Sequence, residues 1–105
     1  MLVVFSAIGI ALTFFLSNNI SYAHRTIDSI TNLDIGSNVC VNGFAKNVYL
    51  GKDYTLFNLL NKSSNNSINI VFFDAVNINK TREISVCGRV DFYKGELEIK
   101  GHKVI

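Results

Sequence analysis

The residues of this chain with the chemistry to act on another molecule are few and scattered. It has two cysteines, Cys40 and Cys87, and two histidines, His24 and His102, in 105 residues. The histidines stand at opposite ends of the polar part of the chain, far from the close pairing of a zinc-binding helix. No Gly-rich loop that could cradle a phosphate is present, and no Cys/His/Asp arrangement suggests a nucleophile. These absences point away from an enzyme and from a resident metal or cofactor. What remains is a set of cations and aromatic rings whose spacing invites binding. The densest set lies in residues 83–105, EISVCGRVDFYKGELEIKGHKVI.

That stretch alternates almost without fault. Ile84, Val86, Val90 and Phe92 are expected on one face, and Ser85, Cys87, Arg89, Asp91 and Tyr93 on the other. Lys94-Gly95 between two alternating runs is a two-residue hairpin turn. It would set Phe92 opposite Leu97 and Val90 opposite Ile99 as core pairs. It would also set Arg89 opposite Lys100 and Asp91 opposite Glu98, and like charges directly opposed are unfavourable. Diagonal pairing, Arg89 with Glu98 or Asp91 with Lys100, is one resolution. An anion bound between Arg89 and Lys100 is the other.

Further strands are expected over residues 38–50, 54–61 and 67–73, with Gly43 and Gly88 as bends. Residues 51–53 form a turn and residues 62–66, KSSNN, a polar loop. Residues 74–82 connect to the hairpin with room for one helical turn at most. Five strands in about seventy residues predict an all-β fold, a small closed barrel that leaves no sheet edge open. Val41, Phe57, Leu59, Ile70, Ile84, Val86, Val90, Leu97 and Ile99 are its expected core.

Ahead of the barrel, residues 2–16 carry no charge. The run is about the length of a signal h-region and short of the roughly 20 residues that span a bilayer. Ser21-Tyr22-Ala23 offers small residues at cleavage positions, although no Lys or Arg precedes the run. The expected organisation is therefore a signal peptide or helical membrane anchor over 1–23, a tether or short lead-in over 24–34 with room for one helical turn at 26–30, and the barrel over 35–105. The barrel is then exported or held at a membrane. Ten basic against eight acidic residues give a net charge of +2, too little to imply a polyanion partner by itself. Asn19, Asn61, Asn65 and Asn79 each open an N-x-S/T triplet, which matters only where a glycosylation machinery exists.

The segments VCVNGFA, YTLFNLLN, SINIVFF and ISVCGRVDFYKGELEIKG together resemble the OB-fold domains of the nucleic-acid-binding, anticodon-binding type. The resemblance covers about residues 36–103. It lacks the usual helix between strands three and four, or carries it much reduced. It implies a ligand face on strands two and three with the neighbouring loops. On this chain that face comprises Lys46, Tyr49, Lys52, Tyr54, Asn58, Asn69, Phe73, Arg89, Tyr93 and Lys94, with Lys100 beside them. Aromatics interleaved with cations suit single-stranded nucleic acid, which the resemblance implies as partner. An extracytoplasmic barrel holding a small ligand or a protein partner is the alternative, and a purely structural domain a third. In an OB barrel strands one and four are neighbours, so Cys40 and Cys87 could face each other. An oxidising compartment would then favour a disulfide; otherwise they are two small buried residues.

Overall fold

The computed structural model describes residues 21–105. All but the last three residues of the hydrophobic segment expected over 1–23 lie outside the described residues. Six strands form in chain order: β1 (Ala23–His24), β2 (Asn38–Leu50), β3 (Thr55–Asn61), β4 (Asn66–Phe72), β5 (Ile84–Tyr93) and β6 (Glu96–Val104). Five of them close on themselves in the cyclic order β2-β3-β4-β6-β5, with β5 returning to β2. The β4–β6 pair is parallel and the other four are antiparallel. This is the five-stranded closed barrel of OB type.

The β5–β6 hairpin has the register expected from its alternation: Phe92 opposes Leu97, Val90 opposes Ile99, Asp91 opposes Glu98 and Arg89 opposes Lys100. Lys94 and Gly95 both take positive φ, 51° and 81°, as the tightest hairpin turn requires. Phe92 departs from the expected core row and is half exposed, because the barrel has opened at this end of the hairpin. Leu97 is only partly buried for the same reason; the other eight expected core residues are buried.

Closure rests on β2, which serves two neighbours. Asn38 to Gly43 pair with β5, and Phe44 to Leu50 pair with β3. The change of partner falls at the expected bend, Gly43. Across the barrel Gly88 and Gly101 oppose each other beside a bulge in β6 at His102. A Cβ on Gly88 would run into the Lys100 carbonyl, and one on Gly101 into the Phe72 ring. Phe72 in turn stacks on Phe57, with centroids 6.2 Å apart.

The barrel ends are plugged without a long helix. Residues 73–83 cross from β4 to β5 as irregular chain, and Val76 and Ile78 lean onto the core. Buried Thr55 fastens the crossing: its hydroxyl donates to the Asp74 carbonyl (2.8 Å) and accepts from the Val76 N–H (2.9 Å). Residues 24–34, expected as a tether, are instead built into the barrel body. Two single-turn 3₁₀ helices form at Ile27–Ser29 and Asn32–Asp34, and Ile27 and Ile30 are core residues. An Arg25–Asp34 ion pair of 2.6 Å and a reciprocal Thr31–Asp34 cap hold this lead-in. Burying two isoleucines is what draws this stretch onto the barrel.

Cys40 and Cys87 are register partners on the β2–β5 seam, with Cα atoms 4.0 Å apart, and are joined by a disulfide. Both are buried. The bond spans 47 positions of sequence and clamps the seam that closes the barrel. Replacing both cysteines by alanine is expected to cost about 4 kcal/mol by the loop-entropy relation. Denaturant titration of the variant against the oxidised protein measures this. Two free thiols in the unreduced, unfolded protein would contradict the bond.

Candidate binding face

Side chains alternate across a strand, so the core residues of β3, β4 and β6 fix which residues point outward. Phe57, Leu59, Ile68, Ile70 and Ile99 are buried. Leu56, Asn58, Asn69, Val71, Glu98 and Lys100 therefore share the outer face. They lie in two cross-strand rows: Leu56, Val71, Lys100 and Arg89 in one, and Asn58, Asn69, Glu98 and Asp91 in the other.

A groove of about 580 Å³ runs over this face, lined by Asp53, Tyr54, Leu56, Val71, Phe73, Asp91, Tyr93, Glu98 and Lys100. Leu56 and Val71 make its floor, and the rings stand at its margins. Tyr54 and Phe73 fall just outside the ends of β3 and β4, one residue beyond the expected division. That position frees them from the ladder: Tyr54 is 40% exposed, Tyr93 58% and Phe73 73%. Tyr49 stacks on Tyr54 with centroids 5.7 Å apart. The Tyr49 hydroxyl beside it pushes the Tyr54 phenol above its ordinary range.

The like-charge rows resolve diagonally. The Lys100 ammonium pairs with Asp91 at 3.0 Å and hangs 5.9 Å above the Phe73 ring. Lys100 therefore already has an anion, and that anion is internal. Hydrogen bonding to Lys100 holds the Asp91 carboxyl below the usual carboxylate range. Glu98, opposite Asp91, is pushed the other way by its partial burial and then by the Asp91 charge, with Lys100 offsetting part of this.

A second depression, about 250 Å³, adjoins the groove and contains Asn47, Asn58, Asn69 and Glu98. Here an amide chain crosses four strands. Asn47 Nδ2 donates to Asn58 Oδ1 (3.2 Å), Asn58 Nδ2 to Asn69 Oδ1 (2.6 Å), and Asn69 Nδ2 to Glu96 Oε2 (2.7 Å). Asn58 and Asn69 are thus held rigid by one another, and each keeps only part of its hydrogen-bonding capacity for a ligand.

Of the residues expected to bind, Tyr54, Phe73, Tyr93 and Lys100 line the groove and Asn58 and Asn69 the adjoining depression. Lys46, Lys52, Arg89 and Lys94 are exposed around it without lining it; Lys94 instead sits 5.4 Å from the Tyr93 ring centre. Sequence reading missed Leu56, Val71 and the carboxylates Asp53, Asp91 and Glu98 as groove residues. Its signals were the strand at 54–61, apolar on both faces, and the opposed acids of the hairpin. A separate hollow of about 570 Å³ beneath the lead-in is lined by Ile27, Ile30, Phe92 and Leu97 among others, with Glu96 its charged residue. It holds no cation.

No protein-family profile and no curated protein matches the sequence. Solved structures match in fold. Two OBodies, each bound to hen egg-white lysozyme, share 12% identity with it. The first has a TM-score of 0.63 over 82% of this chain and 93% of its own, the second 0.62 over 81% and 93%. A Leishmania major protein assigned as an aspartyl-tRNA synthetase matches at TM-score 0.65 and 13% identity. That match covers 80% of this chain and only 20% of the synthetase. The likeness carries the barrel, and the chain has the OB-type fold.

Glu98 yields a test of the electrostatics. Its folded-state pKa lies above the ordinary value of 4.5, so the folded protein loses stability as pH rises through that raised value. Glu98→Gln should therefore melt higher than the parent at pH 7, with the difference closing below pH 4.5. Melting curves across this range check it; a gain that persists at pH 3, or none at pH 7, contradicts the assignment.

Proposed function

We propose that this outer face holds an extended single strand of nucleic acid, bases inward over the groove and phosphates outward toward the cations. The observation that carries the reading is the exposure of Tyr54, Phe73 and Tyr93 around one groove. Rings in or beside strands are usually core; these three are exposed instead, with Tyr49 stacked on Tyr54 as an extension of the platform. Lys52, Lys94, Arg89 and Lys46 stand beyond the groove margin, where a backbone would pass. Acidic groups inside the groove repel phosphate but accept hydrogen bonds from the amino groups of cytosine and adenine. The synthetase likeness agrees with this reading at the level of architecture alone.

A protein segment bearing basic side chains is the second reading. Asp53, Asp91 and Glu98 beside exposed rings favour it, since carboxylates and aromatic faces together attract an organic cation. The lysozyme-bound OBodies are barrels of this architecture in contact with a protein.

Titration of labelled single-stranded oligonucleotides at two salt concentrations separates the readings. Phosphate contacts make affinity fall steeply with salt. Tyr54→Ala should weaken binding by about 1–3 kcal/mol with the salt slope unchanged, because stacking is not ionic. Lys52→Ala should lower the slope by about one unit. No binding at low salt would remove the nucleic-acid reading and leave the protein partner.

A further inference from the structure

We propose that Asn79 is an N-glycosylation acceptor. This inference is independent of what occupies the binding face. Three N-x-S/T triplets fall within the described residues, at Asn61, Asn65 and Asn79, and the fold treats them differently.

Asn79-Lys80-Thr81 lies in the irregular crossing between β4 and β5, and all three residues are exposed. The loop is pinned from below: Thr55 holds Asp74 and Val76, and Ile78 packs onto the core. Asn79, the next residue, is thereby turned outward. Its Oδ1 accepts from both the Thr81 N–H (2.9 Å) and the Thr81 hydroxyl (2.7 Å). Those two bonds draw electron density onto the oxygen and acidify the Nδ2 hydrogens. Among the described residues Nδ2 itself meets no hydrogen-bond acceptor. The carboxamide is presented in a closed turn with its nitrogen free and the Thr81 hydroxyl fixed beside it.

The other triplets lack this arrangement. Asn61 is half-buried at the end of β3, and its Nδ2 is directed at Asp28 Oδ1 (3.5 Å). The Ser63 N–H reaches Asn61 Oδ1, but no bond joins its hydroxyl to that amide. Asn65 sits at a hairpin tip with φ 65°, and Ser67 is drawn into the ladder opposite Leu60. No bond links Ser67 to Asn65. A flexible triplet could adopt the closed turn only transiently, whereas Asn79 already holds it.

The step is a transfer. Nδ2 of Asn79 attacks C1 of a sugar carried on a polyprenyl phosphate or pyrophosphate. The C1–O bond to phosphorus breaks, its electron pair leaves on the lipid phosphate, and one Nδ2 proton passes to a base of the transferase. No oxidation or reduction is involved. The Cys40–Cys87 disulfide is consistent with an oxidising compartment, the kind in which such transferases work.

The test is the intact and peptide mass of the full chain purified from its native host. The wild-type peptide containing Asn79 should carry added hexose or related sugar mass. Asn79→Gln and Thr81→Ala should lose all of it, while Thr81→Ser should retain it. Because the loop residues are exposed, all three variants should keep the wild-type melting temperature. A wild-type Asn79 without sugar overturns the proposal, and so does sugar on Asn61 or Asn65 with Asn79 bare.

Discussion

Everything on this barrel depends on the β2–β5 seam. A chain of this size cannot cover the edges of an open five-stranded sheet, so it must join the first barrel strand to the fourth. The join needs close backbone approach at Gly88 and Gly101, and Phe72 fills the space that a side chain on Gly101 would take. Cys40 and Cys87 bond the seam across its middle. Once closure fixes which residues face inward, strict alternation fixes the outer face too. The makeup of the outer face thus follows from the core: with Phe57, Ile70 and Ile99 inside, Leu56, Asn69, Val71, Glu98 and Lys100 have no other place.

The face that results is chemically divided. Its centre holds an apolar floor, carboxylates and a rigid amide chain; its margin holds rings; its surroundings hold cations. Internal pairing of Lys100 with Asp91 keeps the centre from acting as an anion trap. A phosphate chain cannot lie along the groove floor against Asp53 and Glu98 without repulsion, so it must pass over the surrounding lysines. Bases or basic side chains suit the centre. Either proposed occupant would use the same rings; they would differ in what surrounds the contact.

Most of the architecture could be read from the chain. Alternation in 83–105 gave the hairpin register from the turn out to Arg89 and Lys100, since a Lys-Gly turn leaves one geometry open to the two strands; beyond Gly88 a bulge shifts the pairing. The bends at Gly43 and Gly88 were legible because an unsubstituted position in an apolar row has few other uses. In the lead-in the helical turn near 26–30 was legible, but the burial of Ile27 and Ile30 was not, because it depends on the barrel end they cover. Phe92 was misread in the opposite sense, since alternation tells the side of a strand and not how far the barrel extends over it. Of the groove lining, Tyr54, Phe73, Tyr93 and Lys100 were singled out by their chemistry, while Lys46, Lys52, Arg89 and Lys94 stand outside it. The acids were noticed as an opposed pair, but their place in the groove needs the third neighbour, β4, which no local pattern supplies.

Backbone amide shifts of the nitrogen-15-labelled barrel, recorded while a mixed-sequence single-stranded oligonucleotide is added at low salt, test the central claim most directly. The account predicts shifts concentrated at Tyr54, Leu56, Asn58, Asn69, Val71, Phe73, Tyr93, Glu98 and Lys100. It predicts none at the hollow formed by Ile27, Ile30 and Phe92. Shifts centred on that hollow, or a spectrum unmoved throughout, would contradict it.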